Sequence, residues 1–267
     1  MEPSRTPDGH GADADSGSAG ARPRGRGIYL LPNLFTSGGL FAGFFAIIAA
    51  SQGRFEAACI AIFVAAILDG VDGRVARLTN TQSEFGVQYD SLADLISFGM
   101  APALVMYHWA LSAYRFDGTT AGKIGWLAAF LYAACAALRL ARFNSQVAQV
   151  DKRWFIGLAS PAAAGLMASF VWTCADMRLA GATLRHGALA VTVVAALLMV
   201  SRIRYTSFKG GRRGPRGERV PFFAIVLVLA VLIALVLDPP RVLLAAAVLY
   251  ALSGPVQWLW RRRGHGG

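Results

Sequence analysis

Residues 69–94 read DGVDGRVARLTNTQSEFGVQYDSLAD, a polar stretch between two long apolar segments. It holds four aspartates: Asp69, Asp72, Asp90 and Asp94. The first two are three residues apart and the last two four apart, so on helices each pair shares one face. Four carboxylates brought together repel one another unless cations sit between them. A pair of divalent ions resolves that conflict, and an all-oxygen ligand set suits Mg²⁺ or Mn²⁺. Gly73, Ala76 and Gly86 leave room for a bulky ligand beside those faces. Arg77, one turn on from Gly73, offers a forked, permanent cation for phosphate oxygens. Together these features point to metal-assisted phosphoryl transfer.

Working outward, the flanking residues say where this stretch sits. The chain has 267 residues, of which 55% are hydrophobic and 15% charged, with a mean hydropathy of +0.48. That charge content is well below the roughly 25% of ordinary globular domains. Apolar runs near twenty residues, long enough to span a bilayer, predict a one-domain integral membrane protein. They fall near 31–50, 56–75, 90–112, 124–142, 158–175, 187–203, 221–237 and 241–259, which predicts an all-α protein with about eight transmembrane helices. The second run leads into Asp69 and Asp72, and the third begins with Asp90 and Asp94. The aspartate stretch is therefore expected to be a helix end, a short loop and a helix start at one membrane face. Residues 1–26, rich in Gly, Ser, Asp and Arg, cannot build a core and are expected to be disordered. The membrane domain is expected over 27–262, with a short tail at 263–267. A cleaved leader is disfavoured, because the arm is long and Pro32, Asn33 and a glycine pair interrupt the apolar run that follows.

The net charge of +11 indicates which face. With both termini in the cytosol, twenty Lys and Arg lie inside and six outside. This follows the positive-inside rule and sets the aspartates at the cytosolic face of the cell (inner) membrane. The basic loop 204–219 is expected to be a connector facing lipid headgroups. Nucleic acid is excluded as a partner, since no basic patch is interleaved with aromatics. Cys59, Cys135 and Cys174 lie singly in apolar runs, so neither zinc nor a disulfide framework is expected.

Two further polar stretches carry chemistry. Arg139 and Arg142 are three apart and share a face, with Asn144 nearby. Two forked cations and an amide suit a carboxylate or phosphate, and positive-inside anchoring accounts for them as well. Residues 157–165, GLASPAAAG, are small enough for close helix packing, with Pro161 suited to a first helical turn.

The order D-x2-D-G-x2-A-R-x8-G-x3-D-x3-D, running from Asp69 to Asp94, resembles the signature of the CDP-alcohol phosphotransferases, with all eight positions present. RLARFN at 139–144, FIGLASPAAAG at 155–165, LPNLFTSGGLFAGF at 31–44 and IRYTSFK at 203–209 resemble the membrane-embedded (type II) phosphatidylserine synthases of that family. The resemblance covers about 28–210. It implies that Asp69, Asp72 and Asp90 bind divalent metal, two ions of Mg²⁺ or Mn²⁺, with Asp94 close enough to share one. It implies that Asp94 is the general base toward the acceptor hydroxyl. Asn33, Gly73, Arg77 and Ser83 would contact the CDP-lipid, with Ala76 and Gly86 giving clearance. Arg139, Arg142 and Asn144 are the candidates for the acceptor site. The implied substrates are CDP-diacylglycerol and L-serine, and the implied assembly is a homodimer in the lipid bilayer. Glycerol 3-phosphate, an inositol phosphate or choline are the alternative acceptors. An ion-coupled transporter is the rival of another class, disfavoured because no internal repeat is evident. Membrane prenyltransferases would show two separated aspartate clusters. A phospholipase-D-like transferase would need an H-x-K motif, which His10, His108, His186 and His265 do not supply.

Overall fold

The computed structural model describes residues 30–79, 83–146, 154–206 and 222–263. Among the described residues, each of the eight apolar segments falls mainly on helix. They are α1 (Leu30–Ser51), α2 (Phe55–Thr79), α3 (Glu84–Asp94) continuing into α4 (Ala101–Trp109), α5 (Thr119–Gln146), α6 (Ser160–Asp176), α7 (Arg185–Val200), α8 (Phe222–Leu237) and α9 (Pro239–Arg263). Between α3 and α4 the helix does not stop but widens into a π turn over Leu95–Met100. By length and composition three described helices can cross a membrane, the spans Pro32–Ser51, Thr119–Ser145 and Pro239–Trp258. A fourth is the bent pair Glu84–Trp109 with Leu111–Asp117. Helices α7 and α8 have 16 residues each, about 24 Å at 1.5 Å per residue and short of the roughly 30 Å hydrocarbon core. The expected eight crossings are not reached by that measure.

Along α1 small residues face inward and large ones outward. Ala42, Ala46, Ala49 and Ala50 of α1 and Ala58, Ala61 and Ala65 of α2 are buried, so the two backbones pack closely along their length. Phe41 on the other side of α1 is 70% exposed and Val236 of α8 is 83% exposed. In water this arrangement would waste the apolar area; in a bilayer it does not. Helix α6 packs between α2 and α9, and α5 packs on α7.

The all-α expectation holds for the body. The exception is a three-residue antiparallel ladder, β1 (Trp154–Ile156) with β2 (Arg204–Thr206), in which Phe155 pairs with Tyr205. It brings residues 155 and 156 beside 204–206, the described parts of two of the segments that carry the resemblance. Gly157 follows β1 at φ +79, and a Cβ there would lie 3.1 Å from the Ser201 carbonyl oxygen, so only glycine fits.

Two prolines sit inside continuous helix, and each leaves a carbonyl one turn back without its usual N–H partner. Pro102 deprives Phe98, and the buried Tyr132 hydroxyl donates to the Phe98 oxygen at 3.2 Å. Pro255 deprives Ala251, and the buried Tyr205 hydroxyl donates to the Ala251 oxygen at 3.1 Å. The expectations for residues 1–26, for 207–219 of the basic loop and for the tail beyond 263 lie outside the described residues.

Candidate active site

Three helix segments converge on one small cleft: α1, the end of α2, and the junction of α3 with the π turn. Thr36, Asp69, Asp72, Asp90, Asp94 and Ser97 line it. Asp69, Asp72 and Asp90 each offer an oxygen, and all three lie within 4.8 Å of one another. At that separation each carboxylate pair repels by about 3 kcal/mol at an effective dielectric of about 20. Asp94 is outside this trio, but its carboxyl is within hydrogen-bonding reach of Asp69. Two carboxyls in that relation need a proton or a cation between them. The donor set is oxygen only and the cluster is at least half-buried. These residues fit Mg²⁺ or Mn²⁺.

The local sequence explains the convergence. Helix α2 carries its aspartates at the C-terminal end, with Arg77 in the last turn where a cation opposes the helix dipole. Ser83 restarts the chain as the N-cap of α3, its hydroxyl accepting from the Gly86 N–H at 3.0 Å. Glu84 in the first turn adds the matching negative charge. Helix α3 then carries Asp90 and Asp94 on its inner face. The π turn that follows buries Ser97, Phe98 and Gly99, and such turns frequently mark functional sites. The Ser97 hydroxyl donates to the Gly39 oxygen at 3.0 Å. A Cβ on Gly43 would come within 2.7 Å of the Ser97 Cα, so α1 can lie against the turn only through glycine.

The remaining expected residues fall as follows. Around Gly70 and Gly73 a Cβ would meet nothing within 4 Å, which leaves one face of α2 open beside the aspartates. Ala76 is half-buried and Arg77 exposed. Asn33, Ser83 and Gly86 are gathered together, since a Cβ on Gly86 would lie 3.1 Å from the Ser83 hydroxyl and 3.5 Å from Asn33 Oδ1. Asn144 donates from Nδ2 to the Ser91 hydroxyl at 2.9 Å and so ties the end of α5 to α3. Arg139 donates from Nη1 to the Ser160 hydroxyl at 3.1 Å and lies within electrostatic reach of Asp94 and Tyr250. Its Nε is buried with no acceptor. Arg142 shares the half-buried character of Arg139 but makes no side-chain hydrogen bond or ion pair among the described residues.

Sequence reasoning passed over Thr36, whose single hydroxyl hydrogen has two acceptors in reach, Asp72 Oδ2 at 2.8 Å and the Pro32 oxygen at 3.1 Å. It also passed over the link from Ser37 to the Tyr89 hydroxyl, 2.8 Å. The available signal was the spacing of Asn33, Thr36 and Ser37, three polar residues one turn apart on an otherwise apolar helix.

The chain is similar to known proteins. The CDP-alcohol phosphatidyltransferase family matches residues 29–199. The CDP-diacylglycerol–serine O-phosphatidyltransferase of Helicobacter pylori is 38% identical over 233 residues, covering 87% of this chain and 92% of that protein. The protein of the same name from Mycobacterium tuberculosis is 41% identical over 152 residues, 54% of this chain and 50% of that protein. The archaetidylserine synthase of Methanothermobacter thermautotrophicus is 34% identical over 182 residues, covering 67% and 71%.

Proposed function

The chain belongs to the CDP-alcohol phosphatidyltransferase family, and from that premise we propose that it transfers the phosphatidyl group of CDP-diacylglycerol to the hydroxyl of L-serine, releasing CMP. The observation that carries this is the meeting of Asp69, Asp72 and Asp90 within 4.8 Å, beside the open glycine face of α2. The serine acceptor rests on the names and overall identity of the relatives.

Asp69, Asp72 and Asp90 would hold the divalent ions, with Asp94 adjoining. When bound, such ions neutralise the diphosphate and stabilise the departing CMP. Asn33, Gly73, Arg77 and Ser83 would border the CDP-lipid, and Ala76 and Gly86 leave it clearance. Asp94 takes the proton of the serine hydroxyl. The serine oxygen bonds to the lipid-linked phosphorus, and the bond from that phosphorus to the CMP oxygen breaks. Arg139, with Arg142 and Asn144 near it, receives the serine carboxylate. Its buried Nε has no protein acceptor, and a buried donor without a partner is what a bound carboxylate would satisfy. The site faces the cytosol in this proposal, supported by the excess of Lys and Arg on that side. The proposed assembly is a homodimer, which light scattering of the purified protein tests.

The deciding experiment offers serine, glycerol 3-phosphate, inositol phosphate and choline in parallel with CDP-diacylglycerol and measures CMP release. Serine should support release at least tenfold faster than the others. Preference for another acceptor would overturn the assignment while leaving the family chemistry intact.

A further inference from the structure

The end of the helix bundle opposite the aspartates carries a second cleft, which the transfer reaction does not use. Its volume is about 730 Å³, inside the range of about 300–1,000 Å³ common for small-molecule sites. Arg54 and Glu56 border it from the α1–α2 turn, Trp109 from the end of α4, and Arg178 and Leu179 from the loop after α6. Neither Arg54, Glu56 nor Arg178 is ion-paired with another described residue. Arg54, Glu56 and Arg178 therefore bring two cations and a carboxylate to one cleft without an ion pair. Among the described residues, the Arg54 guanidinium faces the ring of Phe45, 5.9 Å away.

The backbone at Arg178 is a second, independent observation. The Arg178 N–H bonds to the Ala175 oxygen and the Leu179 N–H to the Cys174 oxygen, both at 2.9 Å. That pairing closes α6 in a motif whose left-handed position usually belongs to glycine. Here arginine occupies it at φ +55, the lone non-glycine residue with positive φ among those described. The same loop packs closely on the end of α4, where a Cβ on Gly181 would lie 2.7 Å from the Trp109 carbonyl carbon. Backbone strain of this kind clusters at ligand clamps.

We propose that this cleft binds the headgroup of a membrane phospholipid in the leaflet opposite the catalytic face. Its phosphodiester sits with Arg54 and Arg178, which suit phosphate oxygens. An amino group on the same headgroup meets Glu56, so an aminophospholipid is the ligand. Ile60 and Leu179, 40% and 42% exposed, continue the cleft toward the acyl chains.

Native mass spectrometry of the full-length protein tests this, with CDP-diacylglycerol present and serine absent so that the transfer site is filled. Phosphatidylethanolamine, phosphatidylglycerol of matched chains and water-soluble glycerophosphoethanolamine are added separately. Wild type should retain one phosphatidylethanolamine in preference to phosphatidylglycerol and should not retain the soluble headgroup. Arg54→Gln with Arg178→Gln should lower retention at least tenfold, and Glu56→Gln should remove the preference between the two lipids. Arg178→Gly relieves the backbone, so its melting temperature without added lipid should match or exceed wild type while retention falls at least tenfold. Undiminished retention in the arginine variants overturns the proposal, as does equal binding of the soluble headgroup, which would make this a site for free phosphate esters.

Discussion

The Thr36 hydroxyl has one hydrogen and two acceptors, and the nearer is Asp72 at 2.8 Å. That bond fixes which Asp72 oxygen is left for a cation, and losing such a supporting contact typically costs 10–100-fold in metal affinity or activity. Thr36→Val should raise the metal concentration for half-maximal CMP release about tenfold, and an unmoved midpoint would reduce Thr36 to packing. Asp94→Asn should abolish release while the protein remains folded in the membrane; turnover near the wild-type rate would sink the base assignment. Arg139→Ala should raise the Michaelis constant for serine at least tenfold more than that for CDP-diacylglycerol, because only the acceptor would meet the buried Nε. The aspartates were legible because their spacing fixes a shared face on any helix. Thr36 was not, since a hydroxyl on an apolar helix ordinarily bonds back to the carbonyl four residues earlier, and its second partner lies 36 residues away.

At the scale of elements, the π turn and its glycine seat are what aim α3 at α2. Gly43→Ala would drive a methyl into Ser97, and helix cores relieve such overpacking at a cost of about 1–3 kcal/mol. The variant should lose both thermal stability and activity. Gly73→Ala meets open space and should keep its melting temperature while the Michaelis constant for CDP-diacylglycerol rises; the two glycines thus separate a packing role from a ligand role. Tyr132→Phe leaves a buried carbonyl unpaired and should cost about 1–3 kcal/mol. The long helices could be read from apolar runs of near-constant length. The π turn could not, because a single wide turn does not alter the 3.6-residue pattern enough to see. Nor could the β1–β2 ladder, whose three-residue strands are too short to alternate and whose pairing spans some fifty residues.

For the molecule as a whole, the centre joins close alanine contacts with large buried side chains such as Phe98, Met106 and Tyr132, and further large apolar side chains cover the rim. Four clustered carboxylates oppose that compact state unless cations are bound. Binding to the folded form alone stabilises by about 2.7 kcal/mol at a hundred times the dissociation constant. Adding Mn²⁺ to the chelator-treated protein should therefore raise its melting temperature, and Asp69→Asn with Asp90→Asn should abolish the shift. A shift that survives in the double variant would place the stabilising ion elsewhere. The pairing of proline with a rescuing phenol, once at Pro102 and Tyr132 and again at Pro255 and Tyr205, has a consequence for descent. Each proline is tolerable only after its tyrosine is in place, and each tyrosine becomes dispensable once its proline is gone. Lineages should therefore lose the proline first and the tyrosine second, and a sequence holding the proline alone should be rare.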